Sequence, residues 1–225
     1  MSILNKLLME VQSHGNDYED LVIKRITGKG KKEYDKLKGK GGYTSSMDIV
    51  KGLLSDRDRS VKTTNGNKVD CGDILRRMRE KEYEIIVGQY RQDGGNKVIH
   101  TEYVFNIKPQ DYDKLWGTMK YDLVEEFDQY VKSIPKTKEG QLSTKEERTR
   151  RKSNIACKDA LMVIHPKVDS KSQRRVQCSF KIDQMIASGI EYTKIPMNYT
   201  IKSSKRTFNK WELFVHQRIV LRKIL

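Results

Sequence analysis

Apolar residues recur along this chain with two different periods, and the changes between them predict its elements. "YEIIVGQYR" and "KVIHTEYVFNIK" are dense in β-branched and aromatic residues and are joined by "QDGGN". That combination predicts an antiparallel hairpin. Beyond Pro109, residues Tyr112, Leu115, Trp116, Met119, Leu123, Val124, Phe127, Tyr130, Val131 and Ile134 follow a 3.6-residue period. They predict one long helix, with Asp111 and Asp113 suited to its positive end. Upstream, Ile3, Leu4, Leu7, Leu8 and Val11 predict a short amphipathic helix over 3–12. "SSMDIVKGLLSD" reads as a brief helix capped by Ser45 or Ser46, Asn65-Gly66 as a turn, and "CGDILRRMREKEYE" as a helix burying Ile74, Leu75 and Met78.

Downstream, "PKTKEGQL" reads as a linker, and Ser143 with Glu146 as a capping box that opens a second helix at Thr144. That helix runs to about Ile164, where His165-Pro166 stops it. The remainder predicts strands in "RRVQCSFKI", "IEYTKI", "MNYTIKS" and "WELFVHQRIVL". The expected fold is α+β: a mainly antiparallel sheet with one long and one or two shorter helices packed on it, preceded by a flexible basic N-terminal arm. The expected division is residues 1–60 for the helix and arm, and 61–225 for the body.

The arm is where charge changes the picture. "KRITGKGKKEYDKLKGKGGY", Lys24 to Tyr43, holds eight Lys or Arg, two acids and five glycines. Periodicity is lost over residues 27–46, and the entropy cost of ordering glycine together with repulsion between adjacent lysines predicts a mobile segment. The whole chain carries 45 Lys and Arg against 30 Asp and Glu, a net +15. Such an excess attracts polyanions. Three clusters are the candidate nucleic-acid contacts: Lys29, Lys31, Lys32, Lys36, Lys38, Lys40 and Tyr43 on the arm; Arg148, Arg150, Arg151 and Lys152 on the second helix; and Arg174, Arg175, Lys202, Lys205 and Arg206 near the C-terminus. Lysines near phosphates release counterions, and Tyr34 or Tyr43 could stack on unpaired bases.

Other chemistry is thin. No Ser or Thr follows the glycine-flanked lysines, which excludes a phosphate-binding nucleotide loop. His14, His100, His165 and His216 are isolated and no Cys-x-x-Cys exists, so no metal and no cofactor are expected. Glu82, Glu84, Glu102 and Lys108 are the only candidates for a nuclease centre, and Cys157 could be activated by Lys152 and Lys158. Three widely spaced cysteines and the lack of a secretory or membrane-spanning run predict an intracellular protein, cytoplasmic or nuclear.

Arg150 to Leu161 is similar to the closing helix of double-stranded-RNA-binding domains, but a long helix intervenes where that family has strands. Only its basic helix end is carried forward. The expected function is non-enzymatic binding of nucleic acid, RNA ahead of DNA, through phosphates and with little sequence preference. An alternative follows from layout: "GKGKK" in a basic arm before an α+β body resembles rhabdovirus matrix proteins, without their proline-tyrosine motif. That resemblance implies a structural protein binding an anionic membrane and nucleoprotein. A metal-dependent nuclease is the second alternative. Self-association into a homo-oligomer is left open.

Overall fold

The computed structural model describes residues 17–39, 47–169 and 173–201. The expected helix over 3–12 and the expected strand "WELFVHQRIVL" lie outside them. The fold is α+β. A four-stranded sheet has the order β1-β3-β4-β7, from β1 (Arg59–Thr64), β3 (Tyr83–Asp93), β4 (Asn96–Ile107) and β7 (Tyr192–Ile201). A three-stranded sheet has the order β2-β6-β5, from β2 (Lys68–Asp73), β6 (Arg174–Lys181) and β5 (Val163–Val168). Pairing is antiparallel except between β1 and β3.

The β3–β4 hairpin forms as the alternation predicts, with Asp93 opposite Asn96 at its turn. Period two sends its residues to two faces. Ile85, Val87, Tyr103 and Phe105 join a large core with α3 (Ile74–Arg79), α5 (Tyr121–Ser133) and β6, where Phe105 meets Phe180 edge-on at 5.6 Å. Ile86 and Ile99 face the other way, onto Tyr18, Val22, Ile23 and Tyr34. A register shift between Ile99 and Thr101 lets odd-numbered Ile99 share a face with even-numbered residues.

The residues covering that second face correct the expected mobile arm. Residues 17–27 form helix α1, and α2 (Lys31–Lys38) lies within the Gly/Lys-rich stretch. One anchor replaces the missing periodicity: Tyr34 is fully buried, its hydroxyl accepting from Val50 N at 2.9 Å and donating to Leu53 O at 3.3 Å. Asp20 Oδ1 accepts from Lys31 N at 2.5 Å, and Lys29–Glu33 and Lys31–Asp35 pairs brace the helix.

Other expectations change. "SSMDIVKGLLSD" makes no helix over its described residues; Ile49 bridges Arg59, and Gly52 turns the chain at φ +83°. The single long helix is two, α4 (Tyr112–Trp116) and α5, because Gly117 at φ +53° ends α4. A Cβ at Gly117 would stand 2.5 Å from Cys157 Sγ, so the backbone passes closer to that loop than any side chain allows. The linker "PKTKEGQL" contains α6 (Lys138–Ser143), whose cap Thr137 accepts from Gly140 N at 3.0 Å.

The expected capping box does not form, since Ser143 Oγ turns back to Glu139 O at 2.9 Å. Helix α7 (Lys145–Ile155) stops at Ala156, whose ψ of 126° is extended, and Val163 and Ile164, expected at the helix end, open strand β5 (Val163–Val168) instead. Pro166 is tolerated because β5 is an edge strand, as is β7, which merges two expected strands through Pro196. The last helix is α8 (Ile182–Ala187).

Candidate nucleic-acid interface

Alternation along β6 decides where its charges go. Arg174, Val176, Cys178 and Phe180 are buried, while Arg175, Gln177 and Lys181 stand partly or fully exposed. The two arginines therefore part company. Arg174 faces inward: Nε donates to Ile134 O at 3.0 Å, Nη2 to Pro135 O at 2.5 Å, and Nη1 to Gln173 O and Asp169 O. Its guanidinium fastens the end of α5 to the β5–β6 connection and has no reach to a phosphate. Arg175 faces outward, paired only with the neutral Gln177 side-chain carbonyl at 2.8 and 3.0 Å among the described residues.

Register assembles the rest of the outward face. Lys68 of β2 lies opposite Lys181, and Lys167 of β5 opposite Arg175. The two pairs are six residues apart along β6, about 20 Å. His165 sits between them opposite Gln177, its Nε2 2.7 Å from Ser179 Oγ. Burial first, then the ammonium groups of Lys68 and Lys152, push the His165 imidazole below its usual range. Lys152, at the end of α7, thus borders the same face. The acids near these cations include Asp70, 3.3 Å from Lys68 Nζ, Asp73, whose carboxylate caps α3 through Arg76 N at 3.0 Å, and Asp183, close enough to Lys181 to feel its charge.

The contiguous clusters fare differently. Lys29, just before α2, pairs with Glu33 at 2.7 Å, and Lys31 of α2 with Glu19 at 2.5 Å. Burial would lower the Lys31 ammonium, but Glu19 and Asp35 hold it above its usual value. Lys38 Nζ donates to Met47 O and Asp48 O. Lys32 and Lys36 are exposed and meet no carboxylate among the described residues. Tyr34 is buried and cannot stack on a base. Lys40, Tyr43, Lys202, Lys205 and Arg206 lie outside the described residues.

Helix α7 buries no residue. Glu147 takes Arg150 at 2.8 Å and Arg151 at 2.6 Å, and these two guanidiniums hold its carboxyl down at about 2. Arg151 also lies 4.2 Å from the centroid of Tyr130, and Arg148 caps α6 through Gln141 O at 2.5 Å. One anion thus partly neutralises the two most prominent arginines of that cluster.

Neither enzymatic candidate assembles. Glu102 is fully buried, accepting from Tyr18 Oη at 2.5 Å and Arg25 Nη2 at 2.9 Å, while Glu84 is bound by Arg59 at 2.6 Å. Among the described residues no three His, Cys, Asp or Glu side chains are grouped to hold a metal ion. The Cys157 thiol is pushed down by the Thr118 hydroxyl and N–H, each 3.5 Å from Sγ, rather than by Lys152 or Lys158.

Compared with family models, curated proteins and solved structures, the chain has no match. Function therefore rests on the geometry alone. No helix among the described residues is long and apolar enough to cross a membrane.

Sequence reasoning passed over Lys68, Lys167 and Lys181. The signal was present in "RRVQCSFKI", where strict alternation already separates an apolar face from a polar, cationic one. The partners on β2 and β5 follow only once register is known.

Proposed function

We propose that the protein is a non-enzymatic nucleic-acid-binding protein, for RNA ahead of DNA, which holds a strand across the outer face of β2-β6-β5. The observation that carries this reading is the quartet Lys68, Lys167, Arg175 and Lys181, set in paired register on a solvated sheet face whose other side is core. A sheet face of this kind suits single strands, because it offers cations to a backbone without requiring a duplex groove. Lys152 from α7 and the exposed Lys32 and Lys36 of α2 add positive charge at other positions.

The test is RNA binding by the full chain at several salt concentrations, with Lys68, Lys167, Arg175 and Lys181 replaced together by Gln. Each lost phosphate contact lowers the salt slope by about 0.7 for a single strand. A variant that loses three contacts should show a slope smaller by about 2 and weaker binding. A folded variant with unchanged affinity and slope would remove the sheet face from consideration and return attention to α2 and α7.

A further inference from the structure

At the β2 end of that face lies a cavity of about 150 Å³, open to solvent and lined by Asp48, Lys62, Cys71, Gly72, Asp73, Arg76, Arg77 and Arg175. Four cations meet two carboxylates there. Both carboxylates have local work: Asp48 Oδ2 accepts from Val61 N at 2.6 Å and lies 3.4 Å from Lys62 Nζ, and Asp73 Oδ1 accepts from Arg76 N. Arg77 forms the inner wall. It is 2% exposed, lies 4.8 Å from the centroid of Tyr83, and donates to Ser60 Oγ at 3.0 Å. A guanidinium held away from solvent is poorly screened, so its field extends into the cavity.

The floor is open backbone. Gly72 has φ +79°, and a Cβ there would meet nothing within 4 Å. Arg175 belongs to both places, standing in register with Lys167 on the sheet face and lining the cavity.

We infer that this cavity is a binding pocket for a phosphate monoester, seated between Lys62, Arg76 and Arg175 over the buried Arg77. The net charge of the lining, four cations less two carboxylates, matches a phosphate carrying between one and two negative charges. Arginine forks suit its oxygens in pairs. A chain-internal phosphodiester carries only one charge, a poorer match to the net charge of the lining. The inference rests on the nucleic-acid reading for its most natural ligand, the terminal phosphate of a strand lying on the adjoining face. A free nucleoside monophosphate offers the same group, and the two sources are separable.

The experiment compares full-length protein with Arg76→Gln/Arg175→Gln and with Lys62→Gln, each checked for folding by thermal melting. The probes are one oligoribonucleotide sequence bearing 5′-phosphate, 3′-phosphate or hydroxyl ends, together with AMP and inorganic phosphate at fixed ionic strength. A terminal phosphate should tighten binding by about tenfold, roughly one charge-assisted contact at the low end of its range. That gain should vanish in both variants, and inorganic phosphate should raise the melting temperature of the parent only.

If oligonucleotides bind with equal affinity whatever their ends, and phosphate protects nothing, the pocket inference is overturned while the sheet-face reading stands. If AMP and phosphate protect the parent but no oligonucleotide binds, the pocket stands and the nucleic-acid reading falls.

Discussion

Replacing Gly88 by alanine tests whether the N-terminal helices belong to the body. Gly88 lies on β3 beneath α1, and an added Cβ would stand 2.6 Å from Tyr18 Cζ and 2.7 Å from Tyr18 Cε1. Tyr18 is fully buried and its hydroxyl holds Glu102, so the ring cannot retreat without abandoning that carboxylate. Overpacking of this kind costs about 1–3 kcal/mol. Weakening a hydrogen bond to a charged group adds about 1.5 kcal/mol. Together about 3 kcal/mol is expected, read as a lower urea midpoint at constant slope.

The decisive arm is the same substitution in a Tyr18→Ala background. With the ring gone, the clash is gone, and the alanine should stabilise by about 0.4–1 kcal/mol by restricting the unfolded chain. The effect of Gly88→Ala therefore changes sign between the two backgrounds, a coupling of roughly 3–4 kcal/mol from the same terms. An equal cost in both backgrounds, or no cost in either, would refute the docking of α1 on the sheet.

Two further outcomes follow from the titratable groups. Cys71 and Cys178 are buried, whereas Cys157 is half-exposed with its thiol pushed down by Thr118. One thiol per native chain should therefore react quickly with an aromatic disulfide reagent, and Thr118→Val should slow it; three equally fast thiols would contradict the packing of β2 on β6. Burial would raise the Asp48 carboxyl, but Lys62, Val61 N–H and Arg77 outweigh it and hold it below the usual carboxylate range. Its folded value being depressed, its stabilisation is complete above about pH 4, the usual unfolded value, and is lost as pH falls through the folded one. Asp48→Asn should lower stability near neutrality and flatten the acid limb of a stability-versus-pH curve, and an unchanged limb would count against this.

The hairpin was legible because its signal is local: β-branched alternation on both sides of a Gly-Gly turn leaves few other structures. The break at Gly117 was not, because α4 and α5 bury their apolar sides in one core. Leu115, Trp116 and Met119 keep step with Val124 and Phe127 whether or not the helix continues. The failed linkers have a different cause. Neither α2 nor α6 has an apolar stripe, and each is held by a few long-range contacts, Tyr34 to Val50 and Leu53 in one, Gln141 Nε2 to Val168 O at 2.9 Å in the other.

The candidate site shows why charge runs mislead. A dense lysine stretch in a helix brings acids to within four residues, and Glu33, Asp35 and Glu147 are placed to pair with the cations beside them. Such a run shows much charge in the sequence and less in the field. The strand lysines also have acids two residues on, Asp70, Asp169 and Asp183, but among the described residues only Lys68 forms a salt bridge with its own. Lys68, Lys167, Arg175 and Lys181 come from three strands that are far apart in sequence, and only pairing brings them together. Among the described residues the one salt bridge the quartet makes is Lys68 with Asp70; Asp183 near Lys181, and Asp48 and Asp73 near Arg175, add negative charge without such a pair. A polyanion should therefore prefer the face with fewer cations and fewer pairs. Replacing the exposed Lys32 and Lys36 of α2 by Gln should cost less affinity than neutralising the sheet quartet, the opposite of the ranking that counting lysines along the sequence would give.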